Sequence, residues 1–130
     1  MSAAIPTGLA VLAGHQFANL TTYRRSGAGV ATPVWFAQSG DRVYVMTGAQ
    51  AAKIKRLRNN PAALLAPSDR TGKPLGGEVA VRGRVLSPDE ARLAERALNQ
   101  KYGWQKRMFD LFGKLRRRAF ERVYLEFTLG

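Results

Sequence analysis

Cysteine is absent from this 130-residue chain, and histidine occurs once, at His15. The first absence removes disulfides, thiolate catalysis and sulfur-ligated metals, and the second leaves too few nitrogen ligands for an ordinary zinc or haem site. Acidic residues are scarce, 9 against 21 Lys plus Arg, and they form no pair spaced for acid–base catalysis. Asp41 and Asp69 fall in turns, where an aspartate usually hydrogen-bonds the backbone. No apolar run approaches the roughly 18 residues of a membrane span. The mildly apolar stretch 3–14 has no Lys or Arg before it and is interrupted by Pro6 and Gly8, which argues against a signal peptide and makes the cytoplasm the expected compartment.

What the chain does have is a formal charge of +12 and a hydrophobic content of 45%. That content suffices to bury the core of one domain over residues 1–130 and argues against intrinsic disorder. The charge excess directs attention to a polyanionic partner: nucleic acid, a membrane surface or a phosphorylated cofactor.

Local patterns predict a β-rich chain with inserted helices. A short apolar element over 9–13 precedes a strand over 17–25, which stops at Ser26-Gly27-Ala28-Gly29. A second strand covers 30–37, with Pro33 marking a bulge or an edge because proline cannot donate to a ladder. After Ser39-Gly40-Asp41 the alternation of Val43, Val45 and Thr47 predicts a third antiparallel strand over 42–47. A short helix over 51–58 must end at Asn59-Asn60-Pro61, followed by strands over 62–66 and 78–86 on either side of a turn-rich loop. Ser87-Pro88-Asp89-Glu90 is a capping box, so a helix starts there and runs to about Tyr102 before Gly103. A second, basic helix over 104–118 carries Trp104, Met108, Leu111, Phe112 and Leu115 on one face, and the last strand, over 122–129, can close a barrel.

One segment combines these patterns with chemistry. Lys53 falls in the first turn of the short helix, where a cation opposes the helix dipole unless an anion sits beside it. Backbone amides around Ala51 and Ala52, the Thr47 hydroxyl at the strand end and the Lys53 ammonium would together cradle a phosphate, with Arg56 on nearly the same face. The competing reading is a solvated basic helix that packs Ile54 and Leu57 inward. Trp35 and Tyr44 have rings that would stack on a planar ligand, although strand aromatics more often pack a core. His15 reads as structural. The stripe on the 104–118 helix reads as core cover, with anionic lipid, a partner protein or a polynucleotide as the alternatives.

Thr47, Lys53, Leu57 and Pro61 stand in the spacing T-x5-K-x3-L-x3-P, after a hairpin carrying Thr32-Pro33-Val34-Trp35-Phe36. With Thr22-Tyr23-Arg24-Arg25, Pro67-Ser68-Asp69-Arg70 plus Gly72, and Arg82-Gly83-Arg84-Val85, this order resembles the pyridoxamine 5'-phosphate oxidase-like split-barrel superfamily. More narrowly it resembles the flavin/deazaflavin oxidoreductases of subgroup B, enzymes of coenzyme F420. The resemblance implies a homodimer of split β-barrels with cofactor sites at the subunit interface. It also implies that the backbone of Thr32, Pro33, Val34 and Trp35 lines the cofactor ring, while Thr47, Gly48, Lys53 and Arg56 hold its phosphate. Ala51 and Ala52 stand where relatives that bind flavin mononucleotide (FMN) often place serine and arginine, which weighs against FMN.

With no nucleophile or metal set in the chain, any activity must take its reactive atoms from a cofactor. The expectation is therefore an F420-dependent oxidoreductase that passes a hydride to an electron-poor small molecule such as a quinone, enone or nitro compound. The alternatives are an FMN-binding oxidoreductase of the same fold and a non-catalytic polyanion-binding module. Nucleic acid is not the expected partner, and membrane-surface contact ranks behind the homodimer and the small-molecule acceptor.

Overall fold

The computed structural model of the chain describes residues 8–103 and 122–130, so the expected helix over 104–118 lies outside the described residues. Six strands, β1 (Phe17–Tyr23), β2 (Gly29–Ser39), β3 (Arg42–Gly48), β4 (Ala62–Ser68), β5 (Val79–Val85) and β6 (Arg122–Leu129), form a closed barrel. Their order around it is β1-β2-β3-β6-β5-β4, and every neighbouring pair is antiparallel. The expected barrel is present, and the last strand completes it by filling the gap between β3 and β5. Two helices, α1 (Ala52–Asn59) and α2 (Ala91–Tyr102), and a 3-10 turn at Leu9–Leu12 complete the described chain.

Alternation puts Ala18, Leu20, Val34, Phe36, Val43, Val45, Leu65, Val81, Leu125 and Phe127 into the barrel. Ile54 and Leu57 of α1 and Leu9 and Leu12 of the 3-10 turn join the same core. The amphipathic reading of the short helix therefore holds for its apolar face. Gly83 lies opposite Phe127, whose ring occupies the space that a Cβ at Gly83 would need. The lack of a side chain at that position is what admits the largest class of side chain across the pair.

A second core lies outside the barrel wall. Ala94, Leu98 and Tyr102 of α2 pack on Ala37, Tyr44, Met46 and Tyr124. Consequently β3 is buried on both faces from Val43 to Thr47, although its sequence alternates as though one face met water. Each large side chain covered in this way contributes about 1.5–3 kcal/mol relative to exposure.

The capping box forms as read: the Ser87 N–H donates to Glu90 Oε1 at 3.0 Å and the Glu90 N–H to Ser87 Oγ at 3.3 Å. The regular helix nevertheless begins at Ala91, because residues 88–90 make a turn first. Glu90 also pairs with Arg84 at 2.8 Å, which, with the Ser87 N–H second, pulls its carboxyl down to about 2. Arg84 reaches on to the nearly buried Glu126 at 3.0 Å, and Arg42 meets the other Glu126 oxygen at 2.9 Å. This network ties β3, β6 and β5 to the entry of α2.

Candidate functional site

β2 serves two partners in turn. Residues Gly29 to Trp35 pair with β1, whereas only Phe36 to Ser39 pair with β3, and that ladder stops at Phe36↔Val45. Beyond it the strands part, and β3 continues beside β6 as far as Gly48. A cavity of about 240 Å³ opens at this split. Pro33, Val34 and Trp35 of β2 and Phe17 of β1 form one wall; Met46 and Thr47 of β3 form the other. Lys53 of α1 and Arg70 of the loop after β4 complete the lining.

The Trp35 wall is braced from behind. Its ring stacks on Tyr102 with centroids 4.6 Å apart and planes at 16°. The β1–β2 ladder ends at Phe17↔Trp35, and the Tyr102 hydroxyl bridges the next two residues. It accepts the Phe36 N–H at 2.8 Å and lies 2.6 Å from the Gln16 carbonyl and 2.8 Å from that of Phe36. Burial raises the pKa of this hydroxyl well above the ordinary tyrosine range. The Lys101 ammonium donates to the Phe36 carbonyl at 2.8 Å and lies 3.3 Å from the Phe36 ring centroid. Burial brings Lys101 down to about 8.

Two cations face this cavity without a counter-charge among the described residues. α1 has no side-chain cap and no acidic residue in its first turn, yet Lys53 sits there half-buried. Loss of water, and then repulsion from Arg56, hold its pKa below the usual lysine value. Among the described residues neither Lys53 nor Arg70 makes an ion pair, and the described cavity lining carries no carboxylate. Lys55, on the far side of α1, is exposed.

The structure thus brings Pro33, Val34, Trp35, Thr47 and Lys53 together at one cavity. Thr32, Gly48, Ala51, Ala52 and Arg56 are not on its lining. Thr32 pairs with Leu20, and its buried Oγ1 has no hydrogen-bond partner among the described residues. The Ala51 amide does not stand free, because it donates to the Gly48 carbonyl at 3.0 Å and so closes the turn from β3 into α1. Arg56 turns toward β1, where its Nε donates to the buried Thr22 Oγ1 at 2.6 Å. Phe17, Met46 and Arg70 were not expected at the site. Only Arg70 had a signal, as the end of the Pro67-Ser68-Asp69-Arg70 stretch. Tyr44 lies under α2 rather than at the cavity, and His15, after the 3-10 turn, is not part of the lining. Among the described residues no cluster of His, Cys, Asp or Glu is placed to hold a metal, and no helix is long and apolar enough to cross a membrane.

Flat apolar walls with unpaired cations suit a planar group bearing negative charge. At about 240 Å³ the cavity is smaller than the roughly 300–1,000 Å³ of typical small-molecule sites. It would take one moiety of a larger molecule and leave the remainder to an adjoining surface.

A family model described as pyridoxamine 5'-phosphate oxidase matches residues 6–129. Among solved structures, a Listeria innocua protein assigned as a pyridoxamine 5'-phosphate oxidase superposes with a TM-score of 0.61 at 17% identity, over 92% of this chain and 88% of that one. The heme storage protein HutZ of Vibrio cholerae does so with a TM-score of 0.63 at 14% identity, over 90% and 83%. An F420 reductase gives 0.54 at 20% identity, over 92% and 90%. At such identities the likeness is one of fold, the six-stranded split barrel. No curated protein matches this chain.

Proposed function

This chain belongs to the pyridoxamine 5'-phosphate oxidase family, and from that premise we propose that it is an oxidoreductase that binds coenzyme F420, in preference to FMN, where β2 parts from β3. Its acceptor is an electron-poor small molecule such as a quinone, enone or nitro compound. The observation that carries this reading is the cavity itself, with aromatic and proline walls and the half-buried Lys53 at its α1 end, and with no carboxylate and no ion pair to Lys53 among the described residues. Lys53 and the Thr47 hydroxyl would hold the cofactor's phosphate, and Pro33 and Trp35 would lie against its ring.

When bound, a reduced deazaflavin or flavin supplies a hydride; the chain's own residues bind, orient and exclude water. Tyr102 braces Trp35 from behind, so Trp35 would present a fixed face to the bound ring. Among the described residues the lining offers no carboxylic acid, histidine or tyrosine. The small cavity also favours a homodimer in which a second copy covers the rest of the cofactor.

Titration of the purified protein with F420 and, separately, with FMN at physiological salt tests the reading. Saturable binding of F420 at one per chain, tighter than FMN, is the expected result. Tighter FMN binding would move the protein to the flavin enzymes. Binding of neither, together with sequence-independent DNA binding on a steep salt slope, would make it a polyanion-binding module instead.

A further inference from the structure

Arg70 reaches the cavity from a loop that the fold holds in place. Oδ1 of Asp69 accepts the Thr71 N–H at 2.9 Å, the Thr71 hydroxyl at 2.7 Å and the Lys73 N–H at 2.9 Å, and Ser68 bridges to Pro74. The loop is then keyed to the strands of the cavity wall. Asn19 Nδ2 donates to the Gly72 carbonyl at 2.6 Å, and Asn19 is the cross-strand partner of Pro33. Gly72 has a φ of +97°, and a Cβ there would come within 3.1 Å of Asn19 Oδ1 and 3.7 Å of Pro33. A glycine is therefore required both by the backbone and by the close seat of the loop on the wall.

The one carboxylate beside Arg70 in sequence is committed elsewhere. Hydrogen bonds, first from the Thr71 hydroxyl and then from the Lys73 N–H, hold Asp69 below the ordinary aspartate range as a loop anchor. The Arg70 guanidinium is left with neither a hydrogen bond nor an ion pair among the described residues. The two cations also differ in depth: Lys53 is half-buried at the helix end, whereas Arg70 is exposed at the mouth. A planar two-pronged donor at the solvent side suits a carboxylate that arrives from solution, while a compact ammonium deeper in suits one phosphate.

We propose that Arg70 forms a second anion subsite, separate from Lys53, which binds a carboxylate of the small molecule to be reduced. The acceptor is then one that carries a carboxylate beside its electron-poor group. The assignment of this carboxylate to the acceptor rests on the oxidoreductase reading; the anion subsite itself does not.

Calorimetric titration with cinnamate and with its neutral twin, methyl cinnamate, tests the subsite on the cofactor-free protein and again at saturating F420. The expected result is that wild type binds the acid about tenfold tighter than the ester, as a charge-assisted bond implies. Arg70→Gln loses that preference, Arg70→Lys regains part of it, and Lys53→Ala keeps it. The affinity of Arg70→Gln for F420 stays within about threefold of wild type, since a screened, exposed charge adds little. Wild type without the preference, or Arg70→Gln that retains it, would overturn the subsite. Arg70→Gln that weakens F420 as much as Lys53→Ala does would place Arg70 on the cofactor and overturn the proposal. If wild type binds neither F420 nor FMN, the oxidoreductase reading fails by itself, while the cofactor-free titration still decides whether Arg70 is an anion site.

Discussion

Replacement of Lys53 by alanine separates stability from binding, because the same charge acts on them with opposite signs. In the free protein the ammonium is half-buried, has no ion pair among the described residues and is repelled by Arg56, so folding lowers its pKa from the ordinary 10.5. Between the lowered value and 10.5 the unfolded chain binds more protons than the folded one, so the wild type gains stability as pH rises through that window. Below the window the full penalty for burying the charge is present. Lys53→Ala therefore leaves the protein at least as stable at neutral pH and removes the Lys53 share of the alkaline rise, leaving the share of Lys101, whose pKa burial lowers to about 8.

Binding moves the other way. Loss of a charge-assisted hydrogen bond to phosphate costs about 1.5–3 kcal/mol, which raises the dissociation constant for F420 roughly 10- to 150-fold. Lys55→Ala is the control, since Lys55 is exposed and acts only through its field. Its effect should be several-fold smaller and should fade as salt is raised, whereas a local contact at Lys53 should persist. Fluorescence titration with F420 at two ionic strengths, with urea denaturation across pH, measures all of this. Equal losses from the two variants would refute the assignment of faces on α1, and no loss from either would remove the phosphate from this helix.

Three further outcomes follow from the packing. Tyr102→Phe keeps the ring against Trp35 but leaves the buried Phe36 N–H without its acceptor; it should cost about 1–3 kcal/mol in urea denaturation and change the near-ultraviolet dichroism of Trp35. Gly83→Ala drives a methyl group into the fully buried Phe127 ring, and calorimetry should report a loss of about 1–3 kcal/mol with the six-stranded fold retained. Glu126→Gln strips two arginines of their shared carboxylate. Because both arginines are half-exposed, water takes up part of the loss, and about 1–2 kcal/mol is expected in place of the about 3–5 kcal/mol of a fully buried pair.

The features legible in the sequence are those set by neighbours along the chain. Val123, Leu125 and Phe127 alternate with more polar residues, and the strand runs over Arg122–Leu129 as predicted. Ser87 and Glu90 are three residues apart and cap one another, and Gly103 stops α2 after Tyr102. Small errors arise where a local signal meets a pairing rule. The first strand ends at Tyr23 rather than Arg25, and the second begins at Gly29 because that glycine still pairs with Tyr23.

The site was legible only as far as its local parts. Thr47, Lys53 and the Pro33-Val34-Trp35 run come from one continuous stretch, and the cavity unites them. Arg56 shows the limit of helical spacing as a guide: it lies three residues beyond Lys53, yet its guanidinium is claimed by Thr22, 34 residues earlier. The placement of Arg70 and Tyr102 at the site was hidden for the same reason. One depends on Asn19 holding Gly72 across 53 residues, the other on the Phe36 backbone 66 residues away. Such contacts are set by register and by where a strand changes partner, and no window on the sequence contains both ends. The functional consequence is that the two cations at this cavity differ in origin. Lys53 follows from a motif, whereas Arg70 is placed by the seating of a loop. A change at Asn19 that unseats the loop would therefore disturb the Arg70 subsite and leave Lys53 in position.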